Sequence, residues 1–331
     1  MTRRVAIVGA GMAGLACAGA LAAAGLEAVL FDKGRAAGGR IATRRTGLPD
    51  GRGLSFNHGA QYATARDPGF LALLERLRAA GHAAPWDAAG PERWCGVPAM
   101  SALPRALLAD GGAVLRAGRQ VGLLRRDAAG WVLHHLPAAE TRPGEVAARG
   151  EQERFDDVLL AVPPAQAAPL LRAAGQGGLA DRLAPVQVAP CWSLMLAFEA
   201  PVAAPDTRRF AEGPLAWIAR EGSRPGADPA ASDRWVAHAS PGWSRRHLEA
   251  DPQAVAPLLL ALFRDATGAA AAPLHLAAHR WRHALTERPL GEAALWDPAA
   301  GLGLCGDWCL DGRVEAAWLS GRALAARVLG R

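Results

Sequence analysis

Short, wholly apolar runs recur along the chain at 5–8, 28–31 and 158–162, each the length of a buried strand, the last closed by Pro163 and Pro164, and Val114 to Arg116 reads as a further strand. The stretches 120–124 and 131–135 also read as strands, joined by Asp127, Ala128, Ala129 and Gly130 as a hairpin-like turn. Helical spacing of apolar residues predicts helices near 69–80, 101–109, 165–173, 252–265 and 315–329. Residues 137–153 and 220–233, rich in Pro, Gly, Ala and charge, read as surface loops. The opening is the most specific stretch. Strand 5–8 is followed by Gly9, Gly11 and Gly14 at G-x-G-x-x-G spacing, an alanine-rich helix to about Ala24 that Gly25 ends, a second strand at 28–31, and Asp32.

Each part of that unit serves a dinucleotide. Gly9 permits the tight turn, Gly11 lets backbone approach a pyrophosphate, and Gly14 lets the helix pack on the strand. The helix opening at Met12 and Ala13 offers free N–H groups and a positive dipole end to phosphate. Asp32, followed by Lys33, can bind the adenosine ribose hydroxyls. Residues 5–26 carry no charge and follow Arg3 and Arg4, a pattern shared with export signals and membrane spans. The interrupting glycines and the terminal Asp32 favour the dinucleotide unit, so the expectation is a cytoplasmic protein without a membrane partner.

A length of 331 residues suits two domains sharing one cofactor. The five cysteines are odd in number and lack paired metal-ligand spacing, which fits a reducing compartment and no metal; Cys305 and Cys309 read as buried thiols. Basic residues exceed acidic ones by six and are spread along the chain, which points to anionic small molecules and away from nucleic acid. Lys33 is the sole lysine among 37 basic residues.

Two further motifs extend the picture. Gly38, Gly39 and Arg40 can bring backbone and a guanidinium to phosphate. Near the end, Gly301 to Asp307 reads as a strand ending in an acid suited to ribityl hydroxyls, and a helix follows Arg313, Val314 and Glu315 whose N-terminus can stabilise negative charge on a flavin pyrimidine. The segments 38–45 (GGRIATRR), 57–62 (NHGAQY), 155–163 (FDDVLLAVP), 306–308 (GDW) and 313–321 (RVEAAWLSG) resemble the renalase-like branch of the FAD-dependent amine oxidase superfamily. Asn57 stands where that pattern implies an acid, and Ala99 where it implies a glycine.

The resemblance implies an α/β, two-domain flavoprotein with a Rossmann-like FAD-binding domain and an interleaved mixed-sheet substrate domain. The FAD-binding domain is expected from 1–66, 98–168 and 298–331, the substrate domain from 67–97 and 169–297. It implies non-covalent FAD held by Gly9, Gly11, Met12, Ala13, Gly14, Asp32, Lys33, Gly39, Arg40, Gly59, Ala60, Gln61, Gly306, Asp307, Arg313, Val314 and Glu315.

Many amine oxidases of the superfamily place a lysine near flavin N5, and some frame the amine with two tyrosines. With Lys33 at the adenosine end and Tyr62 the sole tyrosine, neither arrangement exists in this chain. A substrate that gives up hydride without proton management fits better. The resemblance implies 2- and 6-dihydro isomers of NAD(P), oxidised to NAD(P)⁺ with oxygen as acceptor. His58, Gln61, His238 and Trp281 are the candidate catalytic side chains, and Trp235, Trp243, Ser244, Arg282 and His283 resemble parts of the family's substrate-domain strands. The alternatives are an amine or desaturase-type oxidoreductase on another small molecule, and a non-catalytic FAD-bound scaffold or electron-transfer protein.

Overall fold

A computed structural model describes residues 2–141, 149–228 and 232–330. Its backbone contacts divide the chain into two compact units, one of 1–39, 104–187 and 286–331, the other of 40–103 and 188–285. The partition expected from cofactor contribution is drawn differently, because 40–66 and 98–103 pack with the second unit.

The first unit is built on a six-stranded sheet in the order Leu295–Asp297, Leu302–Leu304, Asp157–Leu160, Arg4–Val8, Glu27–Asp32, Val114–Ala117. All neighbouring pairs are parallel except at the 295–297 edge. The central strands are apolar on both faces, as parallel strands covered on both sides must be. The first helix, Met12–Ala23, begins after Gly11 with no side-chain cap, and Gly25 follows it in the left-handed region. Against its first turn lies Gly321 of the C-terminal helix Val314–Leu329, where a Cβ would overlap the Ala13 carbonyl. A three-stranded antiparallel sheet of Arg119–Asp127, Gly130–Pro137 and Glu151–Phe155 completes the unit. The turn at 127–130 forms as the sequence predicts, with the Ala129 N–H donating to Asp127 Oδ1.

In the second unit a five-stranded sheet runs in the order Thr207–Arg209, Leu215–Arg220, Asp233–Ala239, Gln187–Phe198, His275–Arg288. One face packs Trp192, Leu194, Leu196, Phe198 and Trp235 against helix Pro252–Thr267. That helix is set by its sequence: Asp251 caps the Gln253 N–H, Pro252 takes the first turn, and Gly268 ends it at φ 75°. The other face buries Met195, Ala197 and Val236 under Leu48, Leu54 and Phe56, the last two on the Gly53–Phe56 strand of a hairpin with Arg44–Gly47.

Three sequence expectations need correction. Strand 302–304 ends before Asp307, which instead opens a 3-10 turn, Asp307–Cys309, whose carbonyl accepts from the Leu310 N–H. Trp243 and Ser244 are helical, in Pro241–Arg246, because Ser240 caps the Trp243 N–H and Pro241 starts the turn. Within the stretches read as loops, 137–153 and 220–233, Glu151–Phe155 pairs as a strand and Glu221–Ser223 forms a 3-10 turn; 142–148 and 229–231 lie outside the described residues. All five cysteines are free, and Cys17, Cys95, Cys305 and Cys309 are buried. Among the described residues no helix is long and apolar enough to cross a membrane, and no cluster of His, Cys, Asp or Glu suits a metal ion.

Candidate active site

In the first unit, Gly9 turns the chain at φ 107°, and a Cβ on Gly14 would overlap the Gly9 carbonyl oxygen. Gly11 differs from both. A Cβ there would meet nothing within 4 Å, and Gly39 of the second motif comes within 3.6 Å of the Gly11 Cα if given a Cβ. The two glycine motifs therefore face each other across space that side chains at either would enter. Met12 and Ala13 hold the first helical positions with their N–H groups uncapped by any side chain, the donor set a pyrophosphate needs.

Asp32 ends its strand and accepts from the Ala10 N–H at 2.6 Å and the Gly34 N–H at 2.7 Å. Burial raises its pKa, and these two N–H bonds oppose the rise. The carboxylate thus ties down the glycine loop while keeping further lone pairs for ribose hydroxyls. Lys33 beside it is exposed. These residues fit FAD: a turn, an uncapped helix N-terminus, open space at Gly11 and an acid at the end of the neighbouring strand.

At the end of the same unit, Asp307 is buried and its Oδ2 accepts from Thr286 Oγ1 at 3.1 Å, while the Gly306 N–H donates to Ser320 Oγ at 3.0 Å. Arg313 precedes the C-terminal helix and pairs with Asp311 at 2.7 Å and with buried Glu315 at 3.0 Å. Val314 and Glu315 form its first turn, and the N-cap residue Arg313 makes no side-chain cap hydrogen bond to it. Asp307 and that turn would hold the ribityl and pyrimidine end.

In the second unit, Arg40 Nη1 donates to the Ala284 carbonyl, and the Arg40 carbonyl accepts from the Ala60 N–H at 2.8 Å. Gly59 lies so close to that carbonyl that a Cβ would overlap it, and so close to Trp281 that the ring would sit 3.3 Å away. The 57–62 loop is clamped by polar contacts. Gln61 Nε2 donates to the Asn57 carbonyl, and Arg224 donates at 2.7 Å both to the Gln61 carbonyl and to its Oε1. Arg224 also lies 3.9 Å over Trp86 and pairs with Glu221 at 3.3 Å, both charges buried. Asn57 Nδ2 donates to Glu221 Oε2 at 2.6 Å, while its Oδ1 accepts from Thr43 Oγ1 and the Met100 N–H, each at 2.8 Å. An amide at 57 is required here because it must donate to one partner and accept from two.

Around that loop stand the imidazoles. The His58 carbonyl accepts from Trp281 Nε1 at 3.0 Å and from His238 Nε2 at 3.2 Å. The His58 ring packs 4.8 Å from His279 and 5.0 Å from Trp281. Burial pushes His58 down to about 3, with His279, Arg44 and His238 adding to the shift. Burial likewise takes His238 and His279 down to about 4. All three are neutral near pH 7, and His238 carries its proton on Nε2, the atom that donates.

The structure thus gathers His58, His238 and Trp281 with Gly59, Ala60 and Gln61. His279, Glu221 and Arg224 belong to the same cluster and were not singled out from sequence. His279 had a signal: it sits two residues before Trp281 on one strand, hence on the same face. Glu221 and Arg224 had none, being a turn in a polar stretch.

Residues 7–77 match the NAD(P)-binding Rossmann-like domain, and residues 88–329 match the flavin containing amine oxidoreductase family. Solved structures with the same fold include a candidate protoporphyrinogen oxidase from Exiguobacterium sp. 255-15, with 14% identity, TM-score 0.75 and full coverage of both chains. A triple mutant of putrescine oxidase has 14% identity and TM-score 0.71, covering 100% of this chain and 99% of the other. Cyclohexylamine oxidase from Brevibacterium oxydans IH-35A has 15% identity and TM-score 0.66, with both chains covered fully. With most of its length matched and a dinucleotide cradle in place, the chain belongs to the flavin containing amine oxidoreductase family and is an FAD-dependent oxidoreductase.

Proposed function

We propose that this enzyme is a renalase-like oxidase of 2- and 6-dihydro isomers of NAD(P). The balanced reaction is dihydronicotinamide dinucleotide plus O₂ plus H⁺ giving NAD(P)⁺ plus H₂O₂. FAD, when bound by the Gly9–Gly14, Asp32 and Asp307 cradle, would supply the redox chemistry as hydride acceptor and as electron donor to oxygen.

The observation that carries this is the charge of the 57–62 cluster. His58, His238 and His279 are held neutral, and Glu221 is committed to Arg224 and Asn57. A primary amine arrives largely as ammonium and must be neutralised before hydride leaves; a dihydropyridine needs no base, since hydride loss restores aromaticity. The cluster offers that donor the half-buried Trp281 ring, fixed in place by its bond to the His58 carbonyl, and no imidazole that titrates near neutrality. Gln61 and Arg224 hold the loop that presents His58. The family match and the oxidases that share the fold also suit an amine or desaturase-type substrate, which is the second reading.

In this proposal FAD is held non-covalently, which the four buried free thiols support, since burial raises the pKa of Cys17, Cys95, Cys305 and Cys309 and keeps them protonated. The FAD-binding domain is 1–66, 98–168 and 298–331, the enzyme is cytoplasmic, and oxygen is the acceptor. The test is peroxide and NAD⁺ formed in equal amounts from 6-dihydroNAD by the aerobic holoenzyme; NAD⁺ formation at the level of an enzyme-free control would overturn the proposal.

A further inference from the structure

Trp217 faces Arg209 in register on one neighbouring strand and His238 on the other, and His238 in turn faces Ser193. Directly opposed residues point to the same side of a sheet, so these four form one row across four strands. The row lies on the face away from helix 252–267, because the alternate residues Trp192, Leu194 and Ala237 pack in that helix's core. Its third member, His238, touches the His58 carbonyl.

Its outer end is unusual. The Arg209 guanidinium lies 5.4 Å over Trp217 and donates to the Tyr62 hydroxyl, and the Arg93 guanidinium lies 4.8 Å over the Tyr62 ring. Tyr62 and Trp217 meet edge to face at 5.8 Å. Among the described residues neither guanidinium has a carboxylate partner, although the second unit pairs Arg52, Arg220, Arg224 and Arg282 with acids. Two buried polar atoms in this neighbourhood have no hydrogen-bond partner: Arg93 Nε and Trp217 Nε1. Two cations drawn onto adjacent rings, with unspent donors beside them, are the recognition chemistry of a phosphate.

Resting on the function proposed above, we propose that Arg93 and Arg209 form a phosphate subsite which selects dihydronicotinamides bearing a 5′-phosphate. Two inter-strand spacings, about 10 Å, separate His238 from Arg209. A ribose phosphate spans that row when the nicotinamide ring lies at the His58 and Trp281 end. The specificity element is then the phosphate beside the nicotinamide ribose, and the adenylate half adds little.

The experiment is anaerobic stopped-flow reduction of the holoenzyme by 6-dihydronicotinamide as riboside, mononucleotide and dinucleotide. The mononucleotide and dinucleotide are expected to saturate at similar concentrations, and the riboside only at about ten-fold higher concentration or more. Arg93→Gln with Arg209→Gln should bring the mononucleotide to the riboside's level. Equal saturation by riboside and mononucleotide in the wild type overturns the subsite while leaving the proposed function standing. Binding of inorganic pyrophosphate to the holoenzyme, followed by tryptophan fluorescence, tests the subsite without turnover. A saturable response in the wild type that the double variant loses supports it, and no saturable response overturns it. Reduction by none of the three compounds defeats the functional proposal, and the pyrophosphate titration then decides the subsite alone. The single variant Arg209→Gln changes an exposed side chain and carries the same comparison if the double variant does not retain flavin.

Discussion

Replacing Asn57 by aspartate is isosteric and reverses one hydrogen-bond role. Asn57 is 2% exposed, and its Nδ2 donates to Glu221 Oε2 at 2.6 Å. In the Asn57→Asp variant an ionised carboxylate would set a second acceptor oxygen against that one, forfeiting a charge-assisted bond of about 1.5–3 kcal/mol and adding like-charge repulsion. The relief is for the pair of carboxylates to take up one proton, whose hydrogen restores the contact. Holding a proton at pH 7 on a carboxyl of ordinary pKa, about 3.9, costs about 4 kcal/mol at 1.36 kcal/mol per unit. At pH 5 the same cost is about 1.5 kcal/mol. The sign follows from linkage: the folded variant binds more protons than its unfolded chain, so its deficit shrinks as pH falls. Urea denaturation of wild type and variant at pH 5, 6 and 7 measures the difference, in which the other titrating groups cancel. A variant as stable as wild type at pH 7, or a deficit that does not shrink on acidification, refutes the assignment of Asn57 as donor to Glu221.

Other outcomes follow from the same geometry. Gly11→Val should fold yet lose FAD, read from the flavin-to-protein absorbance ratio, because its side chain enters space that no protein atom fills; retained flavin would remove Gly11 from the cradle. Asp307→Ala should weaken FAD binding by about 1.5–3 kcal/mol, measured by titration of the apoprotein, and an unchanged affinity would take Asp307 out of the site. Acid or heat denaturation should leave intact FAD in the supernatant, with flavin in the precipitate speaking for covalent attachment. Lys33→Arg should leave the rate constant of flavin reduction nearly unchanged, since a lysine acting in proton transfer would cost orders of magnitude. Because burial holds His58 near 3 and His238 and His279 near 4, the unfolded chain binds more protons on acidification, so stability should fall from about pH 6.5 towards 4. Thermal melts across that range that show no loss attributable to these imidazoles, by comparison with a His279→Asn variant, would contradict their buried neutral state.

What could be read from the sequence was what local chemistry dictates. The glycines at 9, 11 and 14 admit few backbones, and the apolar runs at 5–8, 28–31 and 158–162 became adjacent parallel strands. The helices expected near 69–80 and 252–265 formed as Pro68–Ala79 and Pro252–Thr267, and the structure shows their starts set by Asp67 and Asp251 as caps, each before a proline. Long-range pairings were not legible. Nothing near Asn57 says that Glu221 will meet it, and nothing near Tyr62 says that Arg93 and Arg209 will converge on it, since those contacts arise only when distant strands take their register. Asp307 shows the same limit at short range: its place in the motif was evident, but the turn that aims it is fixed by Gly306 bonding to Ser320 on another element.

The central claim is that hydride donors of the dihydronicotinamide type, and not amines, are the reductants of this flavoenzyme. Anaerobic mixing of the holoenzyme with 2- and 6-dihydroNAD, their phosphorylated forms and a panel of primary amines, followed by bleaching of flavin absorbance, tests it most directly. The account predicts rapid bleaching by the dihydronicotinamide isomers, far faster than by any amine. Rapid bleaching by a simple primary amine with no response to the dinucleotides would contradict it.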